Sequence, residues 1–138
     1  MAVVEVRVDQ LRRNGFSSEW TLILKEQKTD RYLPIYTGAA QAAIVKSELL
    51  AAIRGIVPKS LAPNLFLASI NATDSGIKSL TIDRLEHNVF HAKLLLSHHG
   101  EYREVNCPPA MALALSLRAD APIFVEDDVL EKAALVWQ

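Results

Sequence analysis

Apolar and polar residues alternate along much of the first third of the chain. Val4, Val6 and Val8 are separated from one another by charged residues, which is the period-two pattern of a half-buried strand. Turn signals at Asn14-Gly15 and around Asp30 divide this third into three segments. The strands predicted from these segments run from Val4 to Val8, Trp20 to Leu24 and Arg31 to Thr37. The first third is therefore expected to form three consecutive strands.

Helical segments follow, and strands and helices are then mixed. An alanine-rich stretch after Gly38 predicts a helix to about Arg54, and Pro63 to Ala72 predicts a second helix, because proline is tolerated in a first turn. The remaining predictions are strands from Ile77 to Leu85, Val89 to Ser97, Glu101 to Val105 and Pro122 to Val125, with helices from Pro109 to about Arg118 and from Asp128 to Ala134. The order βββ-αα-βββ-α-β-α groups strands in runs. It predicts an α+β fold, a mixed and mostly antiparallel sheet with packed helices.

The helix that begins at Pro109 is apolar on nearly every side as far as Leu117. Such a helix must be buried over most of its surface, either inside the domain or at a contact between subunits. In a chain of 138 residues this pattern favours self-association. We therefore expect a homo-oligomer, a dimer or larger.

Composition narrows the class of protein. The length fits a single domain over residues 1–138, and 50% hydrophobic with 22% charged residues is a globular composition. The net charge of −1 argues against binding nucleic acid through bulk electrostatics. No segment resembles a membrane span or a signal peptide. The single cysteine, Cys107, excludes an internal disulfide and predicts a cytoplasmic location.

Three polar features each have a chemical and a structural interpretation. His98 and His99 are adjacent in sequence and would point to opposite faces of a strand, which favours a polar hairpin tip over a metal site. Asp128 and Glu131 have the spacing of a helix N-cap and its reciprocal glutamate, which favours capping over a metal cluster. Cys107 precedes a helix, where a thiol can become nucleophilic, but no motif positions a histidine as its base. An inert, partly buried thiol is expected.

Three parts of the chain match motifs of one protein family. The segment from Leu33 to Gly38, followed by the alanine-rich helix, matches a Leu-Pro-Ile motif that continues with an aromatic residue, an aliphatic residue and Gly. The matches in the later strands are Ile82, Leu85, Asn88, Phe90 and Ala92, then Ala121 to Val125 and Val129. With order and spacing kept from about Val3 to Leu130, the chain resembles the bifunctional nuclease family. The resemblance implies hydrolysis of phosphodiester bonds in RNA or DNA with Mg²⁺ or Mn²⁺.

Several polar positions of that family are replaced in this chain. Gln41 stands where the family usually has Glu, and Lys59 to Leu65 lacks the histidine and the acid of an Arg-Pro-x-Thr-His-Asp-Leu segment. Pro108 to Ala112 keeps only one proline and the alanine of Arg-Pro-Ser-Asp-Ala, with Ala110 and Met111 in place of Ser and Asp. Because carboxylates hold Mg²⁺ and Mn²⁺ in such sites, these changes remove the groups that bind the cation. The candidates for a vestigial site are Gln41, Asn64 and Lys59, the last as a phosphate contact.

Two functions from different classes follow. The first is a divergent bifunctional nuclease whose activity is weakened or lost. The second is a non-catalytic oligomerisation or partner-binding module on the same fold, because a fold does not dictate an activity. Metal binding separates them, since an active hydrolase of this kind needs the cation and a binding module does not. Thiol chemistry at Cys107 is a third, weaker hypothesis.

Overall fold

The computed structural model describes residues 2–15, 19–54, 68–70, 72 and 75–136. Within these ranges the elements are β1 (Val3–Arg13), β2 (Glu19–Glu26), β3 (Arg31–Gly38), α1 (Ala39–Arg54), β4 (Ser75–Glu86), β5 (Val89–His98), β6 (Glu101–Cys107), α2 (Pro109–Ala119), β7 (Ile123–Glu126), α3 (Asp127–Ala133) and β8 (Leu135–Val136). Residues 68–70 and 72 are also helical. The rest of the helix predicted from Pro63 to Ala72 lies outside the described residues.

The described strands form one mixed sheet in the order β6-β5-β4-β7-β1-β2-β3-β8. Every neighbouring pair is antiparallel except β4 and β7, which are parallel. The short strand β7 joins two antiparallel groups, because it pairs with β4 on one side and with β1 on the other. The predicted α+β class and the mostly antiparallel sheet are confirmed.

Alternation along the strands produces one apolar face of the sheet. Val6 of β1, Leu22 and Leu24 of β2, and Leu80 and Ile82 of β4 are all buried. Full burial of a side chain of this size contributes about 1.5–3 kcal/mol relative to leaving it exposed. The helices pack on these strands, with α1 against β2 and β3, α2 against β4 and β5, and α3 against β3, β4 and β7.

Helix α2 is buried within the chain itself. It contacts α1 as well as β4 and β5, and its buried residues are Ala110, Ala112, Leu113, Ala114, Leu115 and Ser116. The apolar pattern that suggested a subunit contact is therefore explained by packing inside a single copy. Self-association stays a prediction that needs another surface.

An ion pair links α1 to α2 beneath the sheet. Arg118 donates hydrogen bonds from Nε to Glu48 Oε2 at 2.9 Å and from Nη2 to Glu48 Oε1 at 2.6 Å. The Glu48 side chain is only 1% exposed and that of Arg118 is 14% exposed. A two-pronged contact of this kind fixes the geometry of both side chains as well as neutralising their charges. It holds the two long helices together near the end of α2.

Two details of the last third differ from the prediction. Helix α3 begins at Asp127, and the preceding residue, Glu126, makes no side-chain capping hydrogen bond. The predicted cap formed by Asp128 and Glu131 is therefore wrong, because Asp128 already lies in the first turn, where its charge favours the helix dipole. The two-residue strand β8, which pairs with β3, was not predicted.

No helix in the described part of the chain is long and apolar enough to cross a bilayer.

Candidate functional site

A cleft of about 350 Å³ opens where β3 leads into α1. The turn between β4 and β5 and the start of α2 form its other walls. Its lining residues are Ile35, Tyr36, Thr37, Gly38, Gln41, Asn88, Val89, Phe90, Pro108, Pro109 and Ala110. The end of the Leu-Pro-Ile motif, the position of the family glutamate and the start of the Arg-Pro-Ser-Asp-Ala signature thus meet in one place. Because these segments are far apart in sequence, their convergence identifies this cleft as the candidate site.

The turn between β4 and β5 is tight, and it places Asn88 at the cleft. Glu86 pairs with Val89, so His87 and Asn88 are the two residues of the loop. Their φ angles are 51° and 63°. Positive φ at both central residues is the conformation of a type I′ turn, which matches the twist of the flanking strands and in which asparagine is favoured.

Gln41 lies in the first turn of α1 and faces back towards Gly38. Its Oε1 atom lies 3.4 Å from the position that a Cβ atom on Gly38 would occupy. Glycine therefore leaves this oxygen room at the junction of β3 and α1. A side chain at residue 38 would place its Cβ atom at the shortest distance of normal van der Waals contact with the Gln41 amide oxygen.

The described lining of the cleft is uncharged. Its polar side chains are the hydroxyls of Tyr36 and Thr37 and the amides of Gln41 and Asn88. Within the described ranges, no three His, Cys, Asp or Glu side chains come close enough to hold a metal ion. Hard cations such as Mg²⁺ bind through carboxylates, so the described residues do not fit the Mg²⁺ or Mn²⁺ that the resemblance implies. The cleft can form neutral hydrogen bonds and apolar contacts.

The predicted site residues have different outcomes. Gln41 lies in the cleft. Lys59 and Asn64 fall outside the described residues, so their positions stay predictions. At the start of α2, Ala110 lines the cleft, whereas Met111 packs against the core. The position where the family has Asp is thus part of the apolar interior in this chain.

A second cavity, of about 390 Å³, adjoins the cleft. The two share the wall formed by Val89, Phe90, Pro108 and Pro109, and the second is also lined by Arg84, His91, Ala92, Asn106 and Cys107. The Arg84 guanidinium is half exposed and lies between two carboxylates, with Glu86 Oε1 3.4 Å from Nη1 and Asp83 Oδ2 3.8 Å from Nε. A cation and an imidazole therefore border the uncharged cleft.

The two-residue turn between β4 and β5 brings these two groups together. Because Glu86 pairs with Val89 across the turn, Arg84 stands opposite His91, and the register shift between Ile82 and Arg84 lies beyond this pair. No sequence motif marks either residue, and the three-residue loop between the predicted strands, 86–88, would have placed Asp83 opposite His91. Sequence reasoning missed Arg84 for this reason.

Cys107 is a poor nucleophile in this setting. Burial raises the pKa of its thiol, because the thiolate would lose its hydration. At neutral pH the thiol is therefore protonated. The expectation of an inert, partly buried cysteine is supported, and thiol chemistry is disfavoured.

The histidine pair lies at the opposite end of β5 from the cleft. His98 ends β5, and His99 and Gly100 form the turn to β6 with positive φ angles. Ser75 Oγ lies 2.8 Å from His98 Nδ1, which ties the start of β4 to this turn. The predicted polar hairpin tip is confirmed, but the two rings do not lie on opposite faces, because His99 has left the strand and the ring centroids are 4.1 Å apart.

The comparisons with known proteins agree with the motifs in the cleft. The chain is 32% identical over 133 residues to the uncharacterized protein Rv1829 of Mycobacterium tuberculosis (strain ATCC 25618 / H37Rv), which covers 96% of this chain and 77% of that protein. It matches the uncharacterized protein MT1877 of Mycobacterium tuberculosis (strain CDC 1551 / Oshkosh) with the same figures. A family model described as the bifunctional nuclease domain matches residues 22–138. That match takes in every described segment lining the cleft, and the chain belongs to the bifunctional nuclease domain family.

Proposed function

We propose that this protein binds nucleic acid at the cleft and that metal-dependent hydrolysis of phosphodiester bonds is weakened or lost in it. The observation that carries this proposal is the convergence of three family motifs on a cleft whose described lining is uncharged. Family membership favours nucleic acid as the ligand. The single cysteine, and the charges of Glu5 and Arg7 that interrupt the apolar start of the chain, favour the cytoplasm as the place where the protein acts.

The uncharged lining argues against efficient cleavage. In metal-assisted hydrolysis a divalent cation polarises the phosphoryl oxygen or activates water, and acidic side chains hold that cation in place. Gln41 keeps the length of glutamate but not its charge, and Ala110 and Met111 offer no ligand. The protein's own residues can still hold a nucleic-acid strand. Binding needs hydrogen-bond donors, apolar contacts and basic side chains, and it does not need a metal ion.

The test is cleavage of end-labelled single-stranded RNA and DNA with Mg²⁺ or Mn²⁺, compared with a chelator. We expect the intact protein to cut weakly or not at all while still retarding the labelled strand in a gel. The variants are Gln41→Ala, Lys59→Ala and Asn64→Ala. Gln27→Ala is the matched control, because it removes an exposed amide that hydrogen-bonds Glu5 away from the cleft.

Two results would contradict the proposal. Rapid, chelator-sensitive cutting that the three site variants abolish and Gln27→Ala does not would mean that the family reaction survives on altered ligands. Failure of the intact protein to bind any RNA or DNA would remove the nucleic-acid half of the proposal.

A second candidate function is a non-catalytic oligomerisation or partner-binding module. The observation that favours it is strand β6 at one edge of the described sheet. It pairs only with β5 among the described strands, and residues 101–106 are exposed. An open strand edge is able to accept a strand from another chain.

A further inference from the structure

We propose that the cleft holds one unpaired nucleobase, and that the adjoining cavity holds the phosphate next to it through Arg84 and His91. This inference rests on the proposed function and specifies its ligand as single-stranded nucleic acid with an exposed base. It assigns separate tasks to the two cavities, one lined by uncharged residues and one that includes the guanidinium of Arg84.

The cleft has the chemistry of a base rather than that of a phosphate. A nucleobase is flat and uncharged, with a ring face that stacks on aromatic side chains and an edge of donors and acceptors. The cleft offers Tyr36, which is 67% exposed, with Phe90 in its wall and the amides of Gln41 and Asn88. Its volume of about 350 Å³ lies at the lower end of the range for small-molecule sites.

The amide of Gln41 has a role here that glutamate could not fill. An amide both donates and accepts hydrogen bonds, as the edge of a base does, whereas a carboxylate only accepts them. A carboxylate without a metal would also repel a nearby phosphate. Replacement of the family's glutamate by Gln41 therefore removes a cation ligand and gives the cleft a group that recognises neutral polar edges.

The adjoining cavity supplies a guanidinium, and a phosphate that binds there must compete with Glu86 and Asp83, which lie 3.4 and 3.8 Å from Arg84. The cavity shares the wall of Val89, Phe90, Pro108 and Pro109 with the cleft, so one nucleotide can place its base on one side and its phosphate on the other. Arg84 stands opposite His91 in the sheet, and both line this second cavity. Arginine matches phosphate geometry well because its guanidinium can donate two parallel hydrogen bonds.

The arrangement predicts a preference for unpaired strands. In a duplex the base faces are stacked and the pairing edges are occupied, so a base can reach a cleft only after unstacking. The cost of unstacking and unpairing a base is a few kcal/mol. Binding to a duplex should therefore be much weaker than binding to a single strand of the same length.

The experiment is fluorescence anisotropy with the full chain and a chelator. The probes are a labelled single strand, its duplex, and the same strand with abasic sites, which keeps the phosphates but lacks the bases. Tyr36→Ala should weaken single-strand binding by about 5- to 150-fold, the range for loss of one stacked base. Gln27→Ala should have no effect, because it removes an exposed amide that lines neither cavity.

Two further variants separate the tasks of the cavities. Asn88→Gly removes an amide while glycine keeps the positive φ of the turn, so it should weaken binding to the single strand and not to the abasic strand. Arg84→Gln should weaken binding to both strands and lower the slope of log affinity against log salt by about 1.

The outcomes distinguish this inference from the proposed function. Equal affinity for duplex, abasic strand and single strand would overturn the base site while leaving nucleic-acid binding intact. Undiminished binding by Tyr36→Ala and Asn88→Gly would also overturn it. Absence of binding to all three probes would remove the inference and the proposed function together.

Discussion

The local charge at the cleft and at the adjoining cavity depends on single residues and cannot be read from the net charge of the chain. Gln41 makes the cleft neutral at the position where its family carries an acid. Arg84 and His91 bring basic groups to one wall, although the whole chain has a charge of only −1. A near-neutral composition disfavours binding by a uniformly basic surface, but it does not show where individual basic side chains lie.

Glu26 makes a contribution to stability that depends on pH. It is buried, and its Oε2 atom accepts hydrogen bonds from Arg31 Nε at 2.7 Å and from Thr29 Oγ1 at 2.6 Å. The hydrogen bond from Arg31 lowers the pKa of Glu26, although burial acts in the opposite direction. A lowered folded-state pKa means that the stabilisation is complete above the unfolded value of about 4.3 and is lost as pH falls through the folded value.

We therefore predict that Glu26→Gln lowers the free energy of unfolding at pH 7 and flattens its decline in acid. The measurement is urea unfolding at several pH values from neutral to strongly acidic. Glu131→Gln, on the exposed side of α3, is the control and should follow the unmodified protein. Parallel curves for Glu26→Gln and the unmodified protein would show that the contact with Arg31 has no pH-dependent effect.

At the scale of secondary-structure elements, the sequence predicts where strands lie, but only the structure shows which strands pair. Strand positions were predictable because Val6, Leu22 and Leu80 belong to alternating or apolar runs whose buried face is set by the pleat. The pairing of β7 with β4 and β1 was not predictable, because the sequence of a four-residue strand does not indicate which strands lie beside it in the sheet. Strand β8 was missed for a related reason: Leu135 and Val136 are too few to show a period. The start of α3 shifted to Asp127 because three consecutive acids allow several caps.

The same limit applies to the candidate site. Gln41 was found because the family resemblance marks its position, three residues after Gly38. Arg84 was not found, because its place opposite His91 depends on the two-residue turn at His87 and Asn88, and a loop one residue longer would pair His91 with Asp83 instead. Chemistry that depends on register is therefore hidden from a reading of the sequence alone.

The ion pair between α1 and α2 should be costly to break from one side. Arg118→Met leaves the almost fully buried Glu48 without its guanidinium partner, and we predict a loss of about 3–5 kcal/mol in the free energy of unfolding. The double variant Glu48→Met with Arg118→Met should recover much of that loss, because no uncompensated charge is left in the interior. Urea unfolding of the two single variants and the double variant measures the coupling. A double variant as unstable as the sum of the single ones would contradict this account.

At the scale of the whole molecule, self-association would need a contact surface other than helix α2. The apolar helix α2 is already covered by α1 and the sheet, so it offers no large subunit contact. The two edges of the described sheet are unequal: β8 has two residues, whereas β6 pairs with β5 over seven residues without a register shift. Natural proteins protect regular, exposed edges of this length with bulges, prolines or charged side chains, and residues 101–107 include no proline or lysine but three charged residues, Glu101, Arg103 and Glu104.

We predict a dimer at micromolar concentration that forms through β6. Val105 is 39% exposed on that strand, and a lysine there would place a hydrated charge at the edge where a second strand must dock. Light scattering after gel filtration should give the mass of two chains for the unmodified protein and of one chain for Val105→Lys. Val136→Lys is the matched control on the other edge, since Val136 is 60% exposed on β8. A monomeric unmodified protein would refute the prediction. If Val136→Lys is monomeric and Val105→Lys is still a dimer, the interface lies at β8. Both variants should also be unfolded by urea at a concentration where the protein is monomeric. Equal unfolding midpoints there would show that lysine acts on assembly rather than on the fold.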